Sequence, residues 1–372
     1  MILITMVVWL QNMLQLSENL YPVDEVIGTF IQCIISRADV EEILFWLWEL
    51  LYTTPTADDG QVCIYKLFYS TNNSNVGRYV SRKVNEYRRS KDKRLLADIA
   101  VNLRNLEPNF FSYMVNYYGT ISKFPTTIYR VKPWMHQYPQ NMHNLLGAIA
   151  AKDYKNIGYY LAQSLQRNGY ENTKTVMHDI GIVNGINVDD GIDDNLDSRG
   201  LLELSSVVSR LVSSGDMSPR AHFLRSDKNL VKNMDHHFTK KSEKCYLKLS
   251  ERRLYATHAY LPPGDYSRYA VKSLRDVCWY HWEYYAYDSI AWNQRFSAYK
   301  GRQNHDEIKI SWVDDDHLEA FYHDDNAMDF DEQLSEVQQM SLHEVYVCES
   351  AEEWITKLQE TRLTKNLGEL KI

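Results

Sequence analysis

The sequence predicts a mainly α protein, a multi-helix and bundle-like body with at most a short β element near residues 307–313. Three observations carry this. Glycine and proline are scarce, 15 and 9 in 372 residues, against 27 Tyr and 9 Trp, which leaves few turns and much amphipathic aromatic surface suited to helices packed on helices. Apolar residues recur at helical spacing through much of the chain. The stretch between Pro262-Pro263-Gly264 and Gly301 reads as one long helix, because proline and glycine punctuate its ends. It carries a stripe through Cys278, Trp282, Tyr285, Trp292, Phe296 and Tyr299, with Tyr280, Tyr284 and Tyr287 on a second face, so at least two neighbours must cover it. Trp279, Trp282, Trp292 and Phe296 are its expected structural anchors.

In chain order, Met1 to Leu16 is apolar but has no basic flank and no small-residue cleavage site, and it is too short to span a bilayer. A buried first helix is expected there, with a signal or membrane anchor as the alternative. Val26, Phe30 and Ile34 lead into Ile43, Phe45, Trp46, Leu47, Leu50 and Leu51, with Asp39 and Glu42 at the spacing of a capping box. Pro55 and Asp58-Asp59-Gly60 stop that run, and Cys63 to Phe68 is helix or strand on periodicity alone. Val76, Val80, Val84 and Tyr87 then form one apolar stripe, followed by Leu95, Ile99 and Leu103.

Pro125, Pro133 and Pro139 mark a connector, and two helices near Gln140–Ala150 and Asp153–Arg167 form a hairpin. The Gly- and Asp-rich stretch Gly181 to Gly200 is the best boundary. Further helices are expected at Leu201–Val212, from Ser226 to about Leu249, and at about Ala351–Leu363, with Ile308, Ile310 and Trp312 alternating as a short strand. This divides the chain into an N-terminal helical domain (1–118), a connector with hairpin (119–180), a loop (181–200) and an aromatic C-terminal domain (201–372).

The five cysteines are odd in number and widely spaced, which supports neither a disulfide framework nor a CxxC zinc site and points to a reducing compartment. The net charge of −8 is uneven. From Asp314 onward there are 16 acids against 4 Lys or Arg, leaving 37 Lys or Arg against 33 acids before it. Residues 314–336 hold ten acids and no Lys or Arg, yet Leu318, Phe321 and Tyr322 share one helical face. That face is expected to be ordered against the body, with Phe321 as a further anchor.

No catalytic residue, cofactor or metal ligand is assigned. His178-Asp179 resembles the paired metal ligands of HD phosphohydrolases, with His143 upstream and Asp235 as a possible last ligand, but Ile182 stands where that motif places Lys. The Asp189–Asp197 cluster fits no EF-hand register, and the competing reading is a solvated loop. His236-His237 has no partner at helical spacing and reads as an exposed pair. Eight Lys or Arg fall between Arg78 and Arg94, offset by Glu86 and Asp92 alone. Arg78, Arg82 and Arg89 share a face opposite the valine stripe and, with Arg94, are the candidate contacts for a partner or for nucleic acid. The competing reading is a solvated face that meets the acidic C-terminal segment.

The C-terminal third resembles a family of uncharacterised helical proteins from nucleocytoplasmic large DNA viruses. The resemblance rests on Tyr280 to Ala286, Trp292 with Arg295, Gly301, Asp314-Asp315-Asp316, Phe321-Tyr322, Asp331-Glu332-Gln333 and Glu336-Val337-Gln338, and is best over residues 252–340. It implies a virus-encoded protein of the host cytoplasm or the virion and transfers no activity. The resulting expectation is a non-enzymatic interaction or structural protein with a protein partner, viral or self, and no membrane span. The alternatives are a nucleic-acid-binding accessory protein using helix 78–94 and, third, an HD-type metal-dependent phosphohydrolase.

Overall fold

A computed structural model describes residues 14–70, 74–184, 186, 200–212, 223–239, 260–264, 273–324, 335 and 345–369. Among these, fifteen α-helices and two short strand pairs make a mainly α protein. The first ten helices are α1 (Val23–Ile35), α2 (Val40–Thr53), α3 (Ala57–Ile64), α4 (Ser74–Ser90), α5 (Arg94–Arg104), α6 (Phe111–Ile121), α7 (His143–Ala151), α8 (Tyr154–Val183), α9 (Gly200–Val212) and α10 (Lys228–Thr239). There follow β1 (Tyr260–Leu261), α11 (Leu274–Tyr280), α12 (Trp282–Ala286), α13 (Ile290–Ala298), β2 (Arg302–Asn304), β3 (Lys309–Ser311), α14 (Asp315–Asp324), β4 (Tyr346–Val347) and α15 (Ala351–Glu369).

The chain forms two compact units. One comprises the described residues of 58–225, and the other combines residues 14–57 with the described residues from 226 onward. These borders differ from the ones expected at 118, 180 and 200, because α1 and α2 build their core with the C-terminal part of the chain while α9 packs on α6 and α8.

In the 58–225 unit, α6 and α8 meet backbone to backbone. A Cβ on Gly158 would stand 2.5 Å from the Val115 carbonyl oxygen and 2.6 Å from the Gly119 nitrogen. Val115, Met142, Leu146, Ile157, Leu161 and Val208 fill the core beside this contact. α8 is two helical stretches joined at Gly169, whose φ of 76° is a conformation glycine adopts without a Cβ penalty. It therefore runs beyond the expected end near Arg167 and includes Gly181, so the loop expected from Gly181 begins only after the helix ends at Val183. Most of that loop, with the Asp189–Asp197 cluster, lies outside the described residues.

α3 continues into a π-helical turn, Tyr65–Tyr69, so Cys63 to Phe68 is helical. Lys66 on this turn is 2.8 Å from Glu203 Oε2 on α9, and Arg210 donates to Ser70 Oγ at 3.0 Å and to Ser206 Oγ at 2.8 Å. Lys66 and Arg210 are buried. Cationic groups taken out of water require partners of this kind, since desolvation otherwise disfavours the charged form strongly.

In the other unit, α1 is buried along its whole length. Its C-terminal end receives Arg362 of α15, which donates to the Ile35 carbonyl at 2.8 Å, a cation where the helix dipole is negative. β1 pairs in parallel with β4, Tyr260 opposite Tyr346, and lies so close to α1 that a Cβ on Gly28 would meet Leu261 Cδ2 at 2.3 Å. On α2, Trp48 Nε1 donates to Asp235 Oδ1 at 3.0 Å and Trp46 Nε1 to Glu42 Oε1 at 2.8 Å. Asp39 is at the N-cap position of α2 but makes no side-chain capping bond, and Glu42 serves Trp46, so the expected capping box does not form. Glu49, also on α2, is fully buried and accepts from the Asn19 side chain and, at 3.4 Å, from the Asn19 backbone. Burial pushes its pKa up to about 7, with the nearby Glu18 adding to the rise against the opposing Asn19 hydrogen bond.

The long helix expected between Gly264 and Gly301 is, over its described part, three helices. Ser273 and Ser289 accept hydrogen bonds from the backbone of Asp276 and Trp292, each at 3.2 Å, and so start α11 and α13 as N-caps. His281 breaks the register between α11 and α12 at φ −140°, ψ 17°. Residues 265–272 lie outside the described residues. Trp282, Trp292 and Phe296 are buried together with Phe321 of α14, which stacks on Phe296 at 5.0 Å and lies 5.0 Å from Trp312. Trp279, expected as a fourth anchor, is half-buried with Arg275 over its ring at 4.9 Å, and Tyr280 is 67% exposed. The break at His281 takes α11 out of the continuous stripe that would have aligned them.

β2 and β3 form an antiparallel hairpin with Gln303 opposite Ile310. Ile308, expected in the strand, sits in its turn at φ 52°, and Trp312 follows the strand end. Within the acidic segment, residues up to Asp324 are ordered as α14, and the described remainder is Ser335 alone. The expected helix from Ser226 begins at Lys228, where Asp227 Oδ1 accepts from Asn229 N at 2.7 Å, and its expected extension to Leu249 lies outside the described residues, as do Met1 to Met13.

Candidate interaction surface

α4 holds the surface for which the sequence makes the strongest case. Val76, Val80 and Val84 are buried on its inner side, as the stripe requires. Tyr79 joins them, stacked on Phe223 at 3.9 Å with its hydroxyl accepting from Asn102 Nδ2 at 3.0 Å, and burial raises its phenol pKa. Two of the cations are drawn into the unit's own structure. Lys83 Nζ is 2.7 Å from Asp98 Oδ2, and Arg88 Nε is 2.7 Å from Asp58 Oδ2, with Asp59 also bonded.

Arg78, Arg82 and Arg89 are exposed. Arg78 donates to Asn75 Oδ1 at 3.0 Å, Arg89 donates to the Asn85 carbonyl at 3.1 Å, and the Arg82 guanidinium lies 5.9 Å from the Tyr79 ring centre. Contacts within the same helix thus hold three guanidinium groups on the side opposite the valines. The expected basic helix 78–94 is interrupted, however. α4 ends at Ser90, Lys91 takes φ 57°, and Asp92 Oδ1 accepts from the Arg94 backbone at 3.0 Å. Arg94 is consequently the half-buried first residue of α5 and not part of the α4 face.

The metal-ligand candidates do not form a metal-binding group among the described residues. His143 Nε2 is 3.0 Å from the Tyr138 carbonyl, His178 is half-buried and Asp179 exposed on α8, and Asp235 accepts from Trp48 in the other unit. Among the described residues, no three His, Cys, Asp or Glu side chains are grouped so as to hold a metal ion. His236 and His237 are both exposed on α10, with the His237 ring 6.1 Å from that of Phe45. No helix of the described residues is long and apolar enough to cross a membrane.

Comparison with protein-family models, with curated proteins and with solved structures gives no match. The site is therefore read from this chain alone. Two of its features were not singled out in the sequence. One is the buried Lys66–Glu203 and Arg210 network, whose signal is a Glu, a Ser and an Arg at positions 203, 206 and 210, one face of a single helix. The other is a run of exposed apolar residues in the proline-rich connector, Phe124 and Ile128 each being 80% exposed.

Proposed function

We propose that the protein is a non-enzymatic interaction protein whose binding face is the outer side of α4. The observation that supports this is the display of Arg78, Arg82 and Arg89 on the exposed side of a helix whose opposite side is anchored by three buried valines. A guanidinium presents a planar fork of donors suited to carboxylate or phosphate, so the partner is anionic. On this reading it is a protein, viral or a second copy of the chain. The proposal extends to an origin in a large DNA virus and a place of action in the host cytoplasm or virion, on the resemblance over residues 252–340; mass spectrometry of purified particles separates a virion component from an intracellular factor.

A nucleic-acid ligand is the second reading, favoured by the same three guanidinium groups on one helix face. The test is binding of the full chain to a duplex and to an acidic polypeptide across a salt series, for the wild type and for Arg78→Glu/Arg82→Glu/Arg89→Glu. Duplex binding would weaken with a log–log salt slope of about −0.9 per phosphate neutralised. Loss of acidic-polypeptide binding in the triple variant, at an unchanged unfolding midpoint, supports the protein reading. Binding that survives the charge reversal overturns the assignment to α4.

A further inference from the structure

We propose that the segment Ile121–Trp134 is a contact for an anionic phospholipid surface. Five of its side chains are apolar and out in water: Phe124 and Ile128 at 80% exposure, with Ile121, Trp134 and Val131 at 47%, 42% and 41%. Exposed apolar residues clustered in one segment mark a contact site, whereas scattered ones need no explanation. Interleaved with them, Lys123, Arg130 and Lys132 are all exposed, and no Asp or Glu occurs between Glu107 and Asp153.

The backbone of this segment is held in place. Asn156 Oδ1 accepts from the backbone of Thr126 at 2.9 Å and of Thr127 at 3.3 Å, and Tyr160 donates to the Thr127 carbonyl at 2.9 Å. Tyr129 donates from its backbone to Asn144 Oδ1 at 3.2 Å and from its hydroxyl to Asp153 Oδ2 at 2.7 Å, and Met135 closes the segment fully buried. The polar residues thus tie the loop down at its middle, and the exposed Phe124 and Ile128 flank that tie in sequence. Four residues of chain separate them by at most about 14 Å, well within one membrane footprint.

A bilayer accepts protruding apolar side chains without a shaped pocket. It places Trp at the headgroup level, and its anionic face attracts Lys and Arg. The alternation of basic and apolar residues, with no Asp or Glu in the segment itself, matches that occupant better than a protein groove, which needs shape complementarity. This inference is independent of the α4 reading, because its decisive residues lie outside α4.

The experiment is co-sedimentation of the full chain with vesicles of phosphatidylcholine alone and of phosphatidylcholine with phosphatidylserine. The wild type is expected to partition onto the anionic vesicles at least about tenfold more strongly than onto neutral ones, and less as salt rises. Phe124→Ser/Ile128→Ser should lower that partitioning by about tenfold or more, since two inserted side chains are lost. Its unfolding midpoint should not move, because both positions are exposed, and single Gln substitutions at each serve if the double variant misfolds. Lys123→Glu/Arg130→Glu/Lys132→Glu should remove the preference for anionic lipid. Equal binding to both vesicles, or undiminished binding by the apolar variants, overturns the proposal. So does capture of a soluble acidic polypeptide through these residues without vesicle binding, or a solution dimer that Phe124→Ser/Ile128→Ser dissociates.

Discussion

Replacing Glu49 with Gln should stabilise the protein at neutral and alkaline pH and do little at acid pH. Glu49 is fully buried on α2, and its pKa is raised from 4.5 to about 7, first by burial and then by Glu18. The folded state therefore holds a proton that the unfolded chain releases above its ordinary pKa. An acid with a raised folded-state pKa gives stability that is fully present below the unfolded value, falls as pH rises, and is lost once pH passes the folded value. The window here is from about 4.5 to about 7. At about 1.4 kcal/mol per pKa unit, the loss across it is on the order of 3 kcal/mol. Gln keeps an acceptor for Asn19 and has no proton to lose. The variant should match the wild type near pH 4.5 and exceed it by up to about 3 kcal/mol at pH 8, which for a unit of this size is roughly 6 to 12 °C in midpoint. Paired thermal melts by circular dichroism from pH 4.5 to 8 measure the difference. A Gln-minus-Glu difference that stays constant over that range, or that is larger at the acid end, would refute a buried neutral Glu49.

Three further outcomes follow from packing. Phe321→Ala, at a filled site between Phe296 and Trp312, should cost about 3 to 5 kcal/mol in chemical denaturation, and an unchanged midpoint would mean that α14 does not close over the aromatic cluster. Gly158→Ala places a methyl 2.5 Å from the Val115 carbonyl, so α6 and α8 must separate, and a loss of roughly 1 to 3 kcal/mol is expected in the same assay. Glu203→Ala takes the carboxylate from buried Lys66 and should cost about 3 to 5 kcal/mol, whereas Lys66→Met/Glu203→Leu should recover most of it.

Where apolar spacing is regular and one-sided, the sequence is a good guide to structure. Val76, Val80 and Val84 mark the buried side of α4, because α5 covers that face, whereas the dense run Ile43 to Leu50 marks α2 as a helix covered on several sides, by α1, α10 and α13. The region around Trp282 shows the limit. Its aromatic periodicity is real, but the non-helical backbone of His281 and the capping Ser289 cut the run into separate helices, and local structure prevails over a continued stripe. Lys66, Glu203 and Glu49 escape notice for another reason. Charged residues are read as surface, and Lys66 meets Glu203 across 137 positions of sequence. The division into units is similarly hidden, because Trp48 with Asp235 and Ile35 with Arg362 are pairs separated by 187 and 327 positions. In the connector, prolines mark the absence of a long element, and only exposure distinguishes Phe124 and Ile128 from ordinary core residues.

The interrupted course of the second unit sets a schedule for biosynthesis. α1 and α2 leave the ribosome early, and the segments that complete their core lie on the far side of residues 58–225. At about 5 to 20 residues per second, translation of that intervening stretch takes roughly 10 to 30 s. Among the described residues, the core cluster around α6, α8 and α9 is drawn from residues 111–212 and is free to form during the interval. α2, with Trp46 and Trp48 destined for full burial, spends the same interval with apolar side chains uncovered. Nascent chains stalled with residues up to Arg225 clear of the ribosome exit tunnel and Asp235 still inside it should therefore protect the 58–225 unit from protease while leaving α1 and α2 open to cleavage and to chaperone capture.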